Sequence, residues 1–164
     1  MPARNNAELT AMLMPIASNV IKLVSDGMLT VLQRHIDDET YDPLPNADYY
    51  NGSGTPTFQF KHAFEFTEVQ TQMNEVVSEL FYNWQNMSYD PDTFLHGSSW
   101  NGDMRERLAD ILNTNGSTGF SNKVREPYWD NFITELFDNG GLEKLFDVYM
   151  RQEFNILGIK IIKG

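Results

Sequence analysis

Apolar residues recur three and four positions apart along the first part of the chain, which is the spacing of one helix face. The pattern predicts an amphipathic helix over residues 6–38, with these inward positions: Leu9, Met12, Leu13, Ile16, Val20, Leu23, Val24, Val31 and Leu32. Pro15 lacks the backbone donor that a helix interior uses, so it predicts a kink or the start of a second helix. The acidic residues after His35 oppose the negative end of the helix dipole and predict a helix end near His35.

The pattern changes to a period of two in the sheet region predicted over residues 56–86. Phe58, Phe60, Phe64 and Phe66 alternate with polar residues, which predicts a strand over 58–66 with one aromatic face that also carries His62. Residues 69–87 fit both a helix and a strand. We favour a strand over 75–84 that pairs antiparallel with 58–66.

A helical region is predicted over residues 103–154, because turn-forming residues separate three apolar-periodic segments. The first covers 104–112 after the cap residue Asp103, the second opens at Pro127, and the third covers 142–154. The inward positions are Leu108, Ile111 and Leu112 in the first, Phe132, Ile133, Leu136 and Phe137 in the second, and Leu142, Leu145, Phe146, Tyr149 and Met150 in the third. A closing strand is predicted over 156–162. Helices and strands are segregated rather than alternating, which predicts an α+β fold in a single domain, 1–164.

Composition agrees with one folded domain. The chain has 164 residues, of which 41% are hydrophobic and 13% aromatic, so it is long and apolar enough to bury a core. It contains no cysteine, which excludes a disulfide framework, a thiol nucleophile and any cysteine-ligated metal. No apolar run is expected to reach membrane-spanning length and no signal peptide is expected, so we predict no membrane contact and assembly in the cytoplasm.

The net charge of −11 is unevenly distributed. Residues 1–36 and 143–164 each carry one net positive charge, so the middle of the chain carries −13, and no Lys or Arg lies between His62 and Met104. Because nucleic-acid affinity depends on cations at phosphates, we expect no specific nucleic-acid binding. The acids of this stretch are predicted to form a solvated surface; they are Glu65, Glu68, Glu75, Glu79, Asp90, Asp92 and Asp103.

No catalytic or metal-binding pattern stands out. The three histidines are His35, His62 and His96, the last preceded by Asp90 and Asp92, and no two of them have the spacing of paired metal ligands. We therefore predict no metal and no cofactor.

Two further arrangements contain catalytic residue types. His96, Ser98, Ser99 and Asp103 include the members of a triad, although no Gly-x-Ser-x-Gly elbow is present. Glu65 and Glu75 could form the carboxylate pair of a glycosidase if their strands are adjacent. With 23 acids in the chain such pairs arise by chance, so we predict no catalytic residue. A small hydrolase that uses carboxylates stays open as an alternative, as does a monomeric regulatory binding module.

Tyrosines and tryptophans lie in or beside predicted loops, some of them close to an arginine. These residue types anchor protein interfaces, although in many proteins they only cap the core. The candidate interface residues are Tyr49, Tyr50, Trp100, Arg105, Arg125, Tyr128 and Trp129.

The order of these segments resembles small tail-completion or neck proteins, also described as minor structural proteins, of tailed bacteriophages that mostly infect Gram-positive hosts. In that family a long N-terminal helix leads into a Pro/Tyr turn that opens a strand, here Tyr41-Asp42-Pro43 through Tyr49-Tyr50 and Gly52-Ser53-Gly54. An Asp-Pro turn and a His-Gly loop precede a short helix, here Asp90-Pro91 and His96-Gly97 before Arg105–Leu112. An Arg-x-Pro-Tyr segment opens a later helix, here Arg125 to Tyr128. This chain departs from the family where Asn51-Gly52-Ser53 replaces the usual Arg-Thr.

The resemblance implies a non-enzymatic virion protein at the head–tail junction. It implies a homo-oligomeric ring, contacts with connector or tail proteins, and a channel that DNA crosses. The acids between His62 and Met104 then either line this channel or face outward as a solvated surface. The family has no known catalytic residues, so the resemblance assigns none to this chain.

Overall fold

The computed structural model describes residues 5–41, 60–87, 104–113 and 127–159. It confirms the predicted α+β class. The elements are α1 (Asn6–Ile36), β1 (Phe64–Phe66), β2 (Gln70–Gln72), β3 (Glu75–Val77), β4 (Leu80–Tyr82), α2 (Met104–Asn113), α3 (Tyr128–Ile133) and α4 (Gly141–Ile156). Contacts group the chain into two compact units, each treated by itself below. The first is Met1–Thr30, Phe66–Leu80 and Glu135–Gly164, and the second is Val31–Glu65 and Phe81–Thr134. The single domain over 1–164 stays a prediction.

Helix α1 begins at a side-chain cap and continues without interruption. The Oδ1 of Asn5 accepts the backbone N–H of Glu8 at 2.9 Å, which satisfies one of the donors that a helix start leaves unpaired. The helix runs through Pro15, so the possible start of a second helix there is wrong. It ends at Ile36, one residue beyond the predicted end, and a π-helical turn over Asp37–Tyr41 follows.

Three polar contacts in the second unit lie at the end of α1. Two of them join this end to Lys61 and His62, and the third lies within the end itself. Lys61 Nζ lies 2.8 Å from Asp37 Oδ2, and Nδ1 of His62 lies 3.3 Å from Nε2 of Gln33. His35 Nδ1 lies 2.6 Å from an oxygen of Glu39 one turn along. These side-chain contacts stabilise the end of α1 and the π-helical turn that follows it.

The same helix corrects one expectation from composition. An 18-residue window of α1 has a mean hydropathy of 1.3, so by length and composition alone the helix could cross a membrane. A core helix of a globular protein meets the same criterion. Helix α1 buries Val20, Val24, Leu32 and Ile36 within the protein. Of the 18-residue window, 17% is buried.

In the first unit, the middle of α1 packs against α4. Ile16, Val20 and Val24 form the buried centre, as the apolar periodicity predicts. The side chains around them are Met28, Leu142, Leu145, Phe146, Tyr149, Met150 and Phe154. A Cβ at Gly27 would lie 3.1 Å from Leu145 Cδ2, so glycine at this position lets the α4 side chains approach the backbone of α1 closely.

The strands form an interrupted antiparallel ribbon, which confirms the predicted pairing in outline. Strand β1 pairs with β4 and β2 with β3, the latter in the register Gln70↔Val77 and Thr71↔Val76. At the junction Thr67 N donates to Glu79 O at 2.8 Å. Between the pair Thr67–Glu79 and the pair Gln70–Val77, one segment of the ribbon has two residues and the opposite segment has only Ser78. Two residues therefore lie opposite one, which is a β-bulge. The predicted strand over 75–84 is therefore two short strands, and β2 was not predicted separately.

The predicted strand over 58–66 is wrong for residues 60–62, which form a 3-10 turn, and residues 58–59 lie outside the described part. Phe60 and Phe64 are both buried, and their rings meet edge to face at 5.5 Å between centroids. A turn of four residues brings both rings into one core, and Ala63 is buried with them. His62 is exposed and does not lie on an aromatic face.

Helices α2 and α3 lie where the sequence predicts them, with differences in which side chains they bury. Phe132 and Leu136 are buried as predicted, whereas Phe137 is 56% exposed. Tyr128, Phe132 and Leu136 lie four residues apart on one buried face, and Phe137 lies beside that face in the π-helical turn Thr134–Asp138 that continues α3. The backbone of α2 is described at its predicted inward positions, but their side chains are not among those that the structure describes.

The predicted closing strand is wrong over residues 156–159, because α4 continues to Ile156 and ends in a Schellman turn. Gly158 has a φ of 70°. Its N–H donates to Asn155 O at 3.0 Å, and the N–H of Ile159 donates to Phe154 O at 2.8 Å. The rest of the predicted strand lies outside the described residues.

Candidate functional site

Aromatic side chains form the centre of the second unit. The ring of Tyr128 meets that of Phe60 edge to face at 5.7 Å, and the ring of Trp129 stacks on Phe64 at 6.3 Å with 22° between planes. Trp129 also packs on Phe132 at 5.4 Å. Each such pair contributes about 0.5–1.5 kcal/mol beyond the area it buries. The first two residues of α3 therefore occupy fixed positions.

A cavity of about 210 Å³ opens beside this cluster and is the candidate site. We call it the aromatic pocket, and it is lined by Phe64, Ala109, Asp110, Asn113, Tyr128 and Trp129. Helix α2 supplies the carboxylate and the amide, and α3 and β1 supply the rings. The pocket thus combines three aromatic side chains with one acidic group.

Two hydrogen bonds hold the pocket together. Tyr128 is 2% exposed, and its hydroxyl donates to the carbonyl of Ala109 at 3.2 Å. The backbone N–H of Trp129, which has no partner within α3, donates to Oδ1 of Asn113 at 2.8 Å. The first turn of α3 is therefore attached to the last turn of α2, and the walls of the pocket are fixed by the protein's own contacts.

Three of the candidate interface residues lie in the described part of this unit, two of them at the pocket and Arg105 apart from it. Tyr128 lies in the core of its own chain, whereas Trp129 is half-buried and lines the pocket. The guanidinium of Arg105 lies 5.2 Å from the ring centre of Trp84 and donates to the carbonyl of Met87. The others lie outside the described residues: Tyr49, Tyr50, Trp100 and Arg125.

The acids predicted as a possible channel lining occupy two kinds of environment. In the second unit Glu65 is half-buried and accepts hydrogen bonds from the side-chain amides of Asn83 and Asn86. In the first unit three acids of the ribbon are exposed: Glu68, Glu75 and Glu79. Asp90, Asp92 and Asp103 lie outside the described residues.

The two carboxylates considered for a glycosidase pair have separate neighbours. Glu75 lies opposite Gln72 beside the turn of the β2–β3 hairpin. Glu65 lies in β1, where its carboxylate contacts two amides. Neither contact brings a second carboxylate to the site.

The described histidines are each engaged with a polar neighbour. Burial, with the nearby charge of Lys61, lowers the pKa of His62 below its ordinary value, and Asp37 opposes this effect. The side chain is exposed, and its Nδ1 contacts Nε2 of Gln33 at 3.3 Å. Within the described ranges, no three His, Asp or Glu side chains are placed to hold a metal ion. His96, Ser98 and Ser99 lie outside those ranges.

The sequence predicted Tyr128 and Trp129 as interface residues, and it did not indicate the other pocket residues: Phe64, Ala109, Asp110 and Asn113. The hydrogen bond from Trp129 to Asn113 joins two helices that are far apart in sequence, and periodicity does not predict such a contact.

Comparison of the chain with known protein families, with curated proteins and with solved structures finds no match.

Proposed function

We propose that this chain is a non-enzymatic structural protein of a tailed-phage virion, acting at the head–tail junction as one subunit of a homo-oligomeric ring. The family resemblance of the sequence suggests the kind of particle. The observation that carries the proposal of assembly is an apolar stripe on α1 that is only partly covered.

The stripe is continuous in sequence but not in burial. Ile16, Val20 and Val24 are packed against α4 in the first unit. Leu9, Met12 and Leu13 continue the same face toward the N-terminus at spacings of three and four, and they are 45%, 49% and 41% exposed. Adjacent large apolar side chains left in solvent mark surfaces that contact another protein.

A ring needs a heterologous interface, in which one surface of a subunit contacts a different surface of the next. The exposed end of the α1 stripe can supply one such surface. Further exposed apolar side chains on and after α4 can supply another: Val148, Ile156, Leu157 and Ile159. The acidic residues between 62 and 104 would then face a channel that DNA crosses, or the outside of the particle.

Analytical ultracentrifugation tests the proposal on the full chain at micromolar concentration. We expect a closed oligomer for the wild type, and at least tenfold weaker association for Leu13→Asp, because a buried leucine contributes about 1.5–3 kcal/mol. Ala11→Asp is the matched control, since Ala11 is exposed, lies two residues from both Leu9 and Leu13, and so points about 200° away around the helix. We expect Ala11→Asp to assemble like the wild type.

The outcomes separate the alternatives. A wild-type chain that stays monomeric would refute the ring and favour the monomeric binding module. Flotation of the wild type with lipid vesicles, lost in Leu13→Asp, would instead assign the stripe to a membrane surface. Turnover of a glycoside or ester substrate that disappears on Glu65→Gln would favour the hydrolase.

A further inference from the structure

We infer that the aromatic pocket binds the guanidinium group of an arginine side chain presented by a protein partner. The inference rests on the proposed function in one respect, namely that the partner is a protein. It adds that this partner inserts an arginine side chain. The described residues that line the pocket all belong to the second unit.

The chemistry of the lining favours a cation. Of the three aromatic residues that line the cavity, Trp129 is half-buried and offers its ring, whereas Tyr128 and Phe64 are 2% and 6% exposed and support it. Asp110 adds an exposed carboxylate. Cations are attracted to aromatic faces, most strongly to tryptophan, and a nearby carboxylate adds to that attraction. An anion would meet the carboxylate and the negative faces of the rings, so the pocket disfavours it.

The same unit already contains this kind of contact within the chain. The guanidinium of Arg105 lies 5.2 Å from the ring centre of Trp84 while it donates to the carbonyl of Met87. The pocket offers the same combination, a tryptophan ring beside an oxygen acceptor, to a group from outside. Oδ1 of Asn113, which accepts one N–H from Trp129, has a second lone pair for a further donor.

Shape and charge favour the guanidinium of arginine over the ammonium of lysine. A planar guanidinium can stack on a ring and donate two parallel hydrogen bonds to one carboxylate, whereas an ammonium is a compact, strongly hydrated charge. The cavity of about 210 Å³ would hold several water-sized groups of about 30 Å³ each, so the head and the end of the stem of an arginine fit. The net charge of −11 attracts a basic partner surface toward the chain.

Titration by nuclear magnetic resonance with N-acetyl-argininamide tests the inference on the full chain. We expect saturable shifts of the assigned Trp129 indole signal, and little change with N-acetyl-citrullinamide, which has the same shape without the charge. N-acetyl-lysinamide should bind more weakly than the arginine compound. Equal shifts with the arginine and citrulline compounds would overturn the inference, because they would show that charge is not recognised.

A pair of variants tests the carboxylate. Asp110→Asn should weaken binding by about twofold to fivefold, the range of an exposed charge contact. Glu106→Gln is the matched control, since it removes the same charge from an exposed position one turn earlier on α2 and outside the pocket. Unchanged binding in Asp110→Asn, or an equal loss in both variants, would contradict a specific role for the pocket.

This experiment can fail separately from the test of assembly. Binding of the arginine compound by a chain that never oligomerises would support the pocket and refute the ring. Oligomerisation without any binding of the compound would support the ring and refute the pocket.

Discussion

Replacement of Met73 by glycine should stabilise the protein, although it removes a large apolar side chain. Met73 is the first residue of the two-residue turn between β2 and β3, and it has a φ of 49°, while the strand residues on either side pair as Gln72↔Glu75. In hairpin turns that need a positive φ, glycine is the preferred residue because it has no Cβ to clash. The side chain of Met73 is 97% exposed, so its removal sacrifices almost no packing.

The size of the effect follows from two opposing contributions. The left-handed conformation costs a residue with a Cβ about 1–2 kcal/mol, and glycine avoids this cost. Glycine loses more backbone entropy on folding, which opposes the gain by about 0.5–1 kcal/mol. We therefore expect Met73→Gly to raise the free energy of unfolding by about 0.5–1 kcal/mol.

Urea unfolding followed by circular dichroism measures this change. Gln72→Gly is the matched control, because Gln72 is also exposed but lies in extended strand backbone, where glycine brings only the entropic loss. We expect Gln72→Gly to lower the free energy of unfolding by about 0.5–1 kcal/mol. If Met73→Gly destabilised the protein as much as Gln72→Gly does, the positive φ would not be a source of strain.

Two further predictions concern buried and titrating groups in the second unit. Tyr128→Phe should lower the free energy of unfolding by about 1 kcal/mol, because it removes the hydrogen bond to Ala109 and keeps the ring, and urea unfolding measures it. The His62 ring signal should titrate with a midpoint below the ordinary pKa of 6.5, since burial and the nearby Lys61 disfavour its charged form. The unfolded chain then binds more protons than the folded one near pH 6.5, so this contribution to stability is lost as the pH falls through 6.5. His62→Gln should remove that part of the pH dependence, whereas a midpoint at or above 6.5 would contradict the argument.

The sequence predicted the elements whose pattern of residues depends on near neighbours in the chain. Helix α1 followed from its apolar spacing, and the start of α3 followed from Pro127, because each depends on neighbouring residues alone. The end of α4 was equally local, since Gly158 after an apolar run is the usual sign of a helix terminus, but the β-branched residues that follow it favoured a strand prediction.

The remaining differences depend on contacts between distant segments. The alternation of Phe60 and Phe64 with polar residues is equally compatible with a strand and with a tight turn, and the shared aromatic core decides between them. The pocket combines residues of β1, α2 and α3, so only the tertiary structure brings Asp110 close to Trp129. Periodicity assigns Trp129 to a helix start, but it does not indicate which side chains surround it.

The interrupted ribbon affects how densely copies of this chain can be crowded together. Among the described strands each pairs with one other strand only, so each has a side that is an edge of the described ribbon. Such edges can recruit strands of other molecules and start amyloid-like aggregation. Here each paired strand has only three residues, and the bulge between Thr67 and Gln70 interrupts and twists the edge. An incoming strand would find too few aligned groups to extend the sheet, so many copies can be held at high local concentration without joining edge to edge.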